Sequence, residues 1–169
     1  MLIIICGIPF SGKSTLAREL ANRLGSVRID LDEVKTDLFG DDIKDTQIQQ
    51  EGWDRVYQDM YQQIEESLAT GKTIISDAGN FTKRERDLVR KIGEKMGVEV
   101  LTVFVETPVD VAWKRLQENR KTNLRFDVTD EDFNSTVAEM EPPTVGERHL
   151  VYSYGQSVEE WTDQLQKAF

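Results

Sequence analysis

A chain of 169 residues with 38% hydrophobic and 31% charged residues has the length and composition of one globular domain with its own core. The formal net charge of −10 disfavours nucleic acid and anionic membranes as partners, and no apolar run approaches the roughly 18 residues of a membrane span. One cysteine excludes an internal disulfide, one histidine excludes a His-rich metal site, and the first apolar run is too short for a signal peptide, so we expect a cytoplasmic protein.

The first predicted strand, Leu2 to Cys6, is apolar and rich in β-branched residues, which is typical of a strand buried on both faces. Residues 7–14 read Gly-Ile-Pro-Phe-Ser-Gly-Lys-Ser and fit the phosphate-loop pattern G-x-x-x-x-G-K-[ST] at each fixed position. The glycines let successive N–H groups point at one anion, Lys13 reaches the β- and γ-phosphates, and Ser14 places a hydroxyl at a magnesium ion. The leucine stripe of residues 16–24 predicts the helix that such a loop requires.

The loop therefore predicts ATP and Mg²⁺ as ligands, and a turn that binds nothing is the alternative. That alternative explains neither Lys13 nor Ser14. The residues expected to bind the nucleotide in this segment are Gly7, Pro9, Phe10, Ser11, Gly12, Lys13, Ser14 and Thr15.

Strand-like and helix-like segments alternate along the rest of the chain, which predicts a parallel sheet with covering helices. The further predicted strands are Ser26–Asp30, Thr73–Asp77, Glu99–Val105 and His149–Tyr154. The predicted helices are Asp32–Phe39, Gln47–Thr70, Thr82–Met96, a helix from Pro108, Thr129–Met140 and a last helix from Ser157. The fold class expected is three-layer α/β/α in a single domain over residues 1–169.

Ligands of open parallel sheets bind beyond the carboxyl ends of the strands, so polar residues at those ends are candidates for the site. Asp77 ends the third predicted strand, where an acid commonly partners the phosphate loop at magnesium. We therefore predict Ser14 and Asp77 as the metal-binding pair. The alternative for Asp77 is an ordinary turn residue.

A second group of polar residues, Asp30, Asp32 and Lys35, follows the second predicted strand. A carboxylate beside a cation suits phosphoryl transfer, because Asp32 can accept the proton of a substrate hydroxyl. Lys35 lies one helical turn further on and can contact a phosphate or the substrate. The alternative is a helix-capping aspartate followed by a surface lysine.

Residues 114–125 contain five cations and one acid. We expect a mobile lid over about residues 119–130 in which Arg120 closes on the triphosphate and neutralises the charge that develops in the transfer, with Arg125 as a second candidate. The alternative is a solvated helix end with cations near the negative end of the helix dipole. The cations of residues 83–91 share their helix with acids and are interpreted as a solvated face.

With these motifs placed, the chain resembles the small P-loop kinases of the zeta-toxin and polynucleotide-kinase type. The resemblance rests on residues 7–15, Asp32-Glu33-Val34-Lys35, Ile75-Ser76-Asp77, Arg115, Arg120 and Glu141-Pro142-Pro143. It implies the three-layer P-loop kinase fold, ATP and Mg²⁺ as cofactors, and Asp32 as the general base. The further catalytic residues that it implies are Lys13, Lys35 and Arg120, and it places adenine by Arg120 and by Gln156 in the turn after the last strand.

Two departures from that group bear on the acceptor. Phe10 stands where a small glycine is usual, and Lys35 stands for an arginine and lacks the planar fork that grips a phosphate. The sequence therefore predicts an ATP-dependent kinase that transfers the γ-phosphoryl group to a hydroxyl of a small or medium acceptor. The alternatives are a 5′-hydroxyl polynucleotide kinase, which the acidic charge disfavours, and a nucleotide-gated switch without acceptor chemistry.

Overall fold

The computed structural model of the protein describes residues 1–122 and 127–167. Its strands are β1 (Leu2–Cys6), β2 (Val27–Asp30), β3 (Ile74–Asp77), β4 (Val100–Glu106) and β5 (His149–Ser153). Its helices are α1 (Lys13–Leu24), α2 (Leu31–Phe39), α3 (Gln50–Ala69), α4 (Lys83–Lys95), α5 (Val109–Thr122), α6 (Asp130–Glu139) and α7 (Val158–Lys167). None of these helices is long and apolar enough to cross a bilayer.

The strands form one parallel sheet in the order β2-β3-β1-β4-β5, which confirms the predicted parallel sheet. The register pairs Asp77 with Ile5 on one side and with Asp30 on the other. The carboxyl ends of β1, β2 and β3 therefore meet at one edge. This edge brings together the phosphate loop and the acids that follow the two neighbouring strands.

Both faces of the sheet are covered, which is why β1 is buried along its whole length. Leu2 and Ile4 pack with the apolar stripe of α3, whereas Ile3 and Ile5 face α1 and α7. Each fully buried aliphatic side chain contributes roughly 1.5–3 kcal/mol. This central packing fixes the strand that leads directly into the phosphate loop.

The long helix α3 begins at Gln50 and not at Gln47. Residues Asp45–Gln47 form a separate 3-10 turn, in which the Gln47 side chain accepts a hydrogen bond from the Lys44 backbone N–H at 2.9 Å. The turn replaces the first predicted helical turn because it satisfies these backbone groups locally. It also brings Asp45 to the edge of the sheet where the ligand site is expected.

The prediction of a solvated basic face on α4 is wrong for Arg86 and Arg90. Arg86 is fully buried and donates two hydrogen bonds to the Glu147 carboxylate, at 2.8 and 2.9 Å. Arg90 donates to the same carboxylate at 2.7 Å. These hydrogen bonds, those from Arg86 above all, lower the pKa of Glu147 to about 2. Arg86 also donates to the backbone oxygen of Phe81, so this buried pair holds the segment between β3 and α4.

Candidate active site

The phosphate loop between β1 and α1 adopts a conformation that its glycines make accessible. Gly7 has a φ of +147°, and a Cβ there would lie 2.7 Å from the Val105 backbone oxygen. Gly12 has a φ of +107° directly before α1. Phe10 has a φ of +60°, which is uncommon for a residue with a side chain. The loop thus curls back over the end of β1 as the phosphate-loop pattern predicts.

Lys13 and Ser14 lie where the loop meets α1. The Lys13 Nζ donates to the backbone oxygens of Gly7 and Ile8, both at 2.8 Å, so the ammonium is held inside the curl of the loop. The Ser11 hydroxyl is buried in the same loop and has no hydrogen-bond partner among the described residues. An anion held by the loop N–H groups fits this arrangement, since it would meet a cation and an unsatisfied hydroxyl.

The predicted metal pair is brought together across the edge of the sheet. The Ser14 Oγ donates to Asp77 Oδ1 at 3.3 Å. A hydroxyl and a carboxylate suit Mg²⁺, which takes few protein ligands and completes its shell with phosphate oxygens and water. Within the described ranges, no group of three or more His, Cys, Asp or Glu side chains is arranged as a metal site. The residues present thus fit a magnesium ion that arrives with a nucleotide.

Arg28 on β2 is a member of the site that the sequence reasoning missed. Its Nε donates to Asp77 Oδ2 at 2.8 Å, and its guanidinium also pairs with Asp30 and Glu33. The alternating pattern of β2 was the available signal, because Arg28 and Asp30 are two residues apart and share a face of the strand. Arg28 therefore orients the carboxylate predicted to face the metal.

Asp32 and Lys35 are brought together as predicted, but Lys35 is not a surface residue. Asp30 caps α2 by accepting the Asp32 N–H at 2.9 Å, so the helix begins at Leu31. The Lys35 side chain is 0% exposed, and its Nζ lies 3.5 Å from Asp32 and 2.6 Å from Asp45. The Asp32 side chain is 62% exposed. The pairing thus holds an accessible carboxylate above a buried ammonium.

Two cavities flank the phosphate loop, and Phe10 and Gly12 line both. The α3-side cavity has a volume of about 890 Å³, and its walls include Lys13, Ser14, Asp32, Asp45, Trp53 and Asp77. The α5-side cavity has a volume of about 700 Å³, and its walls include Thr15, Thr107, Arg115, Tyr152, Tyr154 and Gly155. Both volumes fall in the range of small-molecule sites.

Arg115 on α5 is the cation that reaches the loop from the α5-side cavity. Its Nη1 donates to the backbone oxygens of Phe10 and Ser11 at 3.1 and 2.9 Å, and its guanidinium lies 5.6 Å from the ring centroid of Tyr154. Arg115 belongs to the basic segment 114–125 and to the family resemblance, but it is not among the predicted site residues. The spacing between Arg115 and Arg120 could have indicated a separate role for Arg115. Residues five positions apart on a helix point to different faces, so the two arginines face different surroundings.

The side chains of Arg120 and Gln156 form hydrogen bonds with other residues of the protein. Arg120 donates to Asp127 at 3.0 Å and to the Val128 backbone oxygen at 2.7 Å, and it pairs with Asp130 at 2.6 Å. The Gln156 side chain accepts the Ser153 N–H at 2.8 Å within its turn. Neither side chain lines the two cavities, so their predicted contacts with ATP stay predictions. Arg125 lies outside the described residues.

The remaining predicted loop residues divide between the two cavities. Pro9 lines the α3-side cavity, whereas Ser11 and Thr15 line the α5-side cavity. Trp53 packs partly on the core and also lines the α3-side cavity. Burial raises the pKa of the neighbouring Tyr57 to about 12, so its phenol stays neutral.

Comparisons with known proteins agree with this geometry. A family profile described as an AAA domain matches residues 2–143. The shikimate kinase of Nitratidesulfovibrio vulgaris is 31% identical to this chain over 141 residues, which are 82% of this chain and 75% of that protein. The finer resemblance to the zeta-toxin and polynucleotide-kinase type stays a prediction.

Two solved structures share the fold. Kti12 of Chaetomium thermophilum, in complex with ADP-AlF3, has a TM-score of 0.78 at 17% identity, over 99% of this chain and 98% of that one. The APS kinase of Mycobacterium tuberculosis, in complex with AMPPNP and APS, has a TM-score of 0.68 at 17% identity, over 98% and 95% of the two chains. The three-layer P-loop kinase fold is thereby confirmed, and at these identities the two structures support the fold alone.

Proposed function

This chain belongs to the AAA domain family, and we propose that it transfers the γ-phosphoryl group of ATP to a hydroxyl of a small or medium acceptor in the α3-side cavity. It is a P-loop kinase, a phosphotransferase with an alcohol group as acceptor. The proposal that the acceptor binds in the α3-side cavity rests on the position of the phosphate loop between two cavities. One of them, the α3-side cavity, contains the exposed carboxylate of Asp32. Phosphates on the loop would lie between a nucleoside and an acceptor.

The nucleoside part of ATP is assigned to the α5-side cavity. Arg115 and Tyr154 offer a cation and an aromatic ring there, beside the loop that would hold the phosphates. Gly7 and the loop residues 10–15 supply backbone N–H groups, whereas Pro9 has none, and Lys13 supplies the positive charge for the β- and γ-phosphates. Arg120 and Gln156 are proposed to join this half of the site when the nucleotide is bound.

The acceptor half is assigned to the α3-side cavity because Asp32 lies there. We assign to Asp32 the role of general base, which takes the proton of the acceptor hydroxyl, a contribution of roughly 10²–10⁴ in rate. Lys35 holds Asp32 through an ion pair of 3.5 Å. Bound Mg²⁺, held through Ser14 and Asp77, would neutralise phosphate charge.

The proposal is tested by incubating the protein with γ-labelled ATP, Mg²⁺ and a metabolite extract, followed by mass spectrometry of the labelled products. We expect label in a phosphate ester, and we expect none with Lys13→Ala. Label found only in inorganic phosphate would contradict the proposal and support the nucleotide-gated switch. An unchanged affinity of Lys13→Ala for Mg-ATP in calorimetry would contradict the role of the loop.

A further inference from the structure

The α3-side cavity presents aromatic surface from three separate elements. Phe10 comes from the phosphate loop, Trp53 and Tyr57 from α3, and Phe81 from the segment after β3. The rings of Trp53 and Tyr57 are neighbours, with centroids 6.4 Å apart. Aromatic walls of this kind suit a flat or ring-shaped apolar body rather than a highly hydrated chain.

Exposed carboxylates set the charge that an acceptor meets in this cavity. The side chains of Asp32 and Asp45 are 62% and 53% exposed, whereas the Lys35 side chain between them is 0% exposed. Two carboxylates thus share one ammonium, and negative charge is in excess. Since the Lys35 Nζ is buried, a molecule in the cavity reaches the carboxylate oxygens and not the ammonium.

The other cations near the cavity are engaged on the phosphate side. Lys13 contacts the loop backbone at 2.8 Å, and Arg28 pairs with Asp77 at 2.8 Å. Arg18 also lines the cavity, and its Nε donates to the Ser14 backbone oxygen at 3.0 Å, one turn into α1. A negatively charged acceptor would therefore be repelled by the carboxylates of Asp32 and Asp45. The cation exposed to pair with it would be the guanidinium of Arg18.

We infer that the acceptor is a hydroxyl compound with a ring-shaped apolar body and a protonated nitrogen, and not a carboxylate or a phosphate ester. The inference rests on the proposed function and names the chemical class of its acceptor. The protonated nitrogen pairs with Asp45 and lies beside the rings of Phe10 and Tyr57, since aromatic rings favour cations. The rings of Trp53 and Phe81 already lie near Lys35 and Lys13. In the transfer, the acceptor oxygen bonds to the γ-phosphorus as the bond to the bridging oxygen of ADP breaks, and Asp32 takes the hydroxyl proton.

The test separates a metabolite extract by ion exchange at neutral pH into cationic, neutral and anionic pools. Each pool is incubated with the wild-type protein, Mg²⁺ and γ-labelled ATP. We expect at least tenfold more labelled ester from the cationic pool than from the other two. Labelling confined to the neutral or the anionic pool overturns the inference and leaves the kinase assignment intact. No labelled ester from any pool, with Mg-ATP still bound, overturns the kinase assignment and the inference together.

Two substitutions identify the groups responsible. Asp45→Asn should raise the KM for the cationic acceptor about tenfold while the Mg-ATP affinity is retained, and Asp37→Asn, an exposed residue of α2, is the matched control. An unchanged KM in Asp45→Asn contradicts the role of Asp45. Labelling in the anionic pool that disappears in Arg18→Gln would overturn the inference and make Arg18 an anion-binding residue.

Discussion

The α5-side and α3-side cavities share the phosphate loop but differ in charge. In the α5-side cavity, the Arg115 guanidinium contacts the loop backbone and lies near the ring of Tyr154. In the α3-side cavity, carboxylates are exposed and the Lys35 ammonium is buried beneath them. This difference supports the proposal that one loop serves an anionic nucleotide on one side and an acceptor of a different charge on the other.

Apart from loss of the general base Asp32, the largest expected effect comes from the loop that the cavities share. Lys13→Met should lower phosphoryl transfer by about 10²–10³, because it removes a fixed cation from the charge that develops on the phosphates. Transfer rates with γ-labelled ATP measure the effect, and Lys95→Met on α4 is the matched control. A Lys13→Met rate within threefold of wild type would show that the shared loop is not the transfer site.

A second prediction concerns Glu147, which pairs with Arg86. Arg86 in turn donates to the backbone oxygen of Phe81, a residue that lines the α3-side cavity. The pKa of Glu147 is about 2 in the folded protein against an ordinary value of 4.5, so below pH 4.5 the unfolded chain takes up a proton that the folded chain does not. Stability should therefore fall between about pH 4.5 and 2, by at most about 3 kcal/mol.

Urea unfolding of the wild-type protein at a series of acidic pH values measures this loss. Glu99→Gln, an exposed residue before β4, is the control and should keep the same pH dependence. A free energy of unfolding that stays constant as the pH falls from 5 to 3 would contradict the role of the buried Arg86–Glu147 pair.

A third prediction separates the two arginines of α5. Arg115→Ala should weaken Mg-ATP binding roughly tenfold to a hundredfold, since it removes charge-assisted hydrogen bonds to the loop. Lys114→Ala, whose side chain is exposed, is the matched control. Calorimetry that finds full affinity in Arg115→Ala and a loss in Arg120→Ala would instead support the lid predicted from the sequence.

The smallest effect is expected from the aromatic wall of the α3-side cavity. Trp53→Leu should raise the KM for the acceptor about fivefold to tenfold, because the acceptor loses an aromatic surface. The Mg-ATP affinity should stay unchanged, which would set this variant apart from Arg115→Ala. Tyr61→Leu, one turn beyond Tyr57 on the same helix, is the control. Equal KM values in Trp53→Leu and wild type would remove Trp53 from the acceptor site.

Features that depend only on residues adjacent in the sequence could be predicted from it. The phosphate-loop pattern, an apolar strand that ends in Asp77, and the capping box of Thr82 and Glu85 each lie within one short segment. The capping box forms hydrogen bonds of 2.9 and 3.2 Å between the two residues. Local patterns of this kind also predict the order of strands and helices, because each element carries its own periodicity.

Features that depend on distant partners could not be predicted in the same way. Lys35 is buried because Asp45, in a 3-10 turn, lies against it, and no local pattern predicts that contact. Arg86 looks like one cation of an exposed basic helix until Glu147, 61 positions later, is placed beside it. The choice between Arg115 and Arg120 likewise needs the orientation of α5 against the loop.

The central claim, transfer to a hydroxyl activated by Asp32 in the α3-side cavity, is tested most directly by one variant measured in two ways. Asp32→Asn keeps the size of the side chain and removes the base. We predict that calorimetry finds wild-type affinity for Mg-ATP, while transfer of labelled phosphate to the acceptor falls by about 10²–10⁴. Transfer at the wild-type rate by Asp32→Asn would contradict the claim.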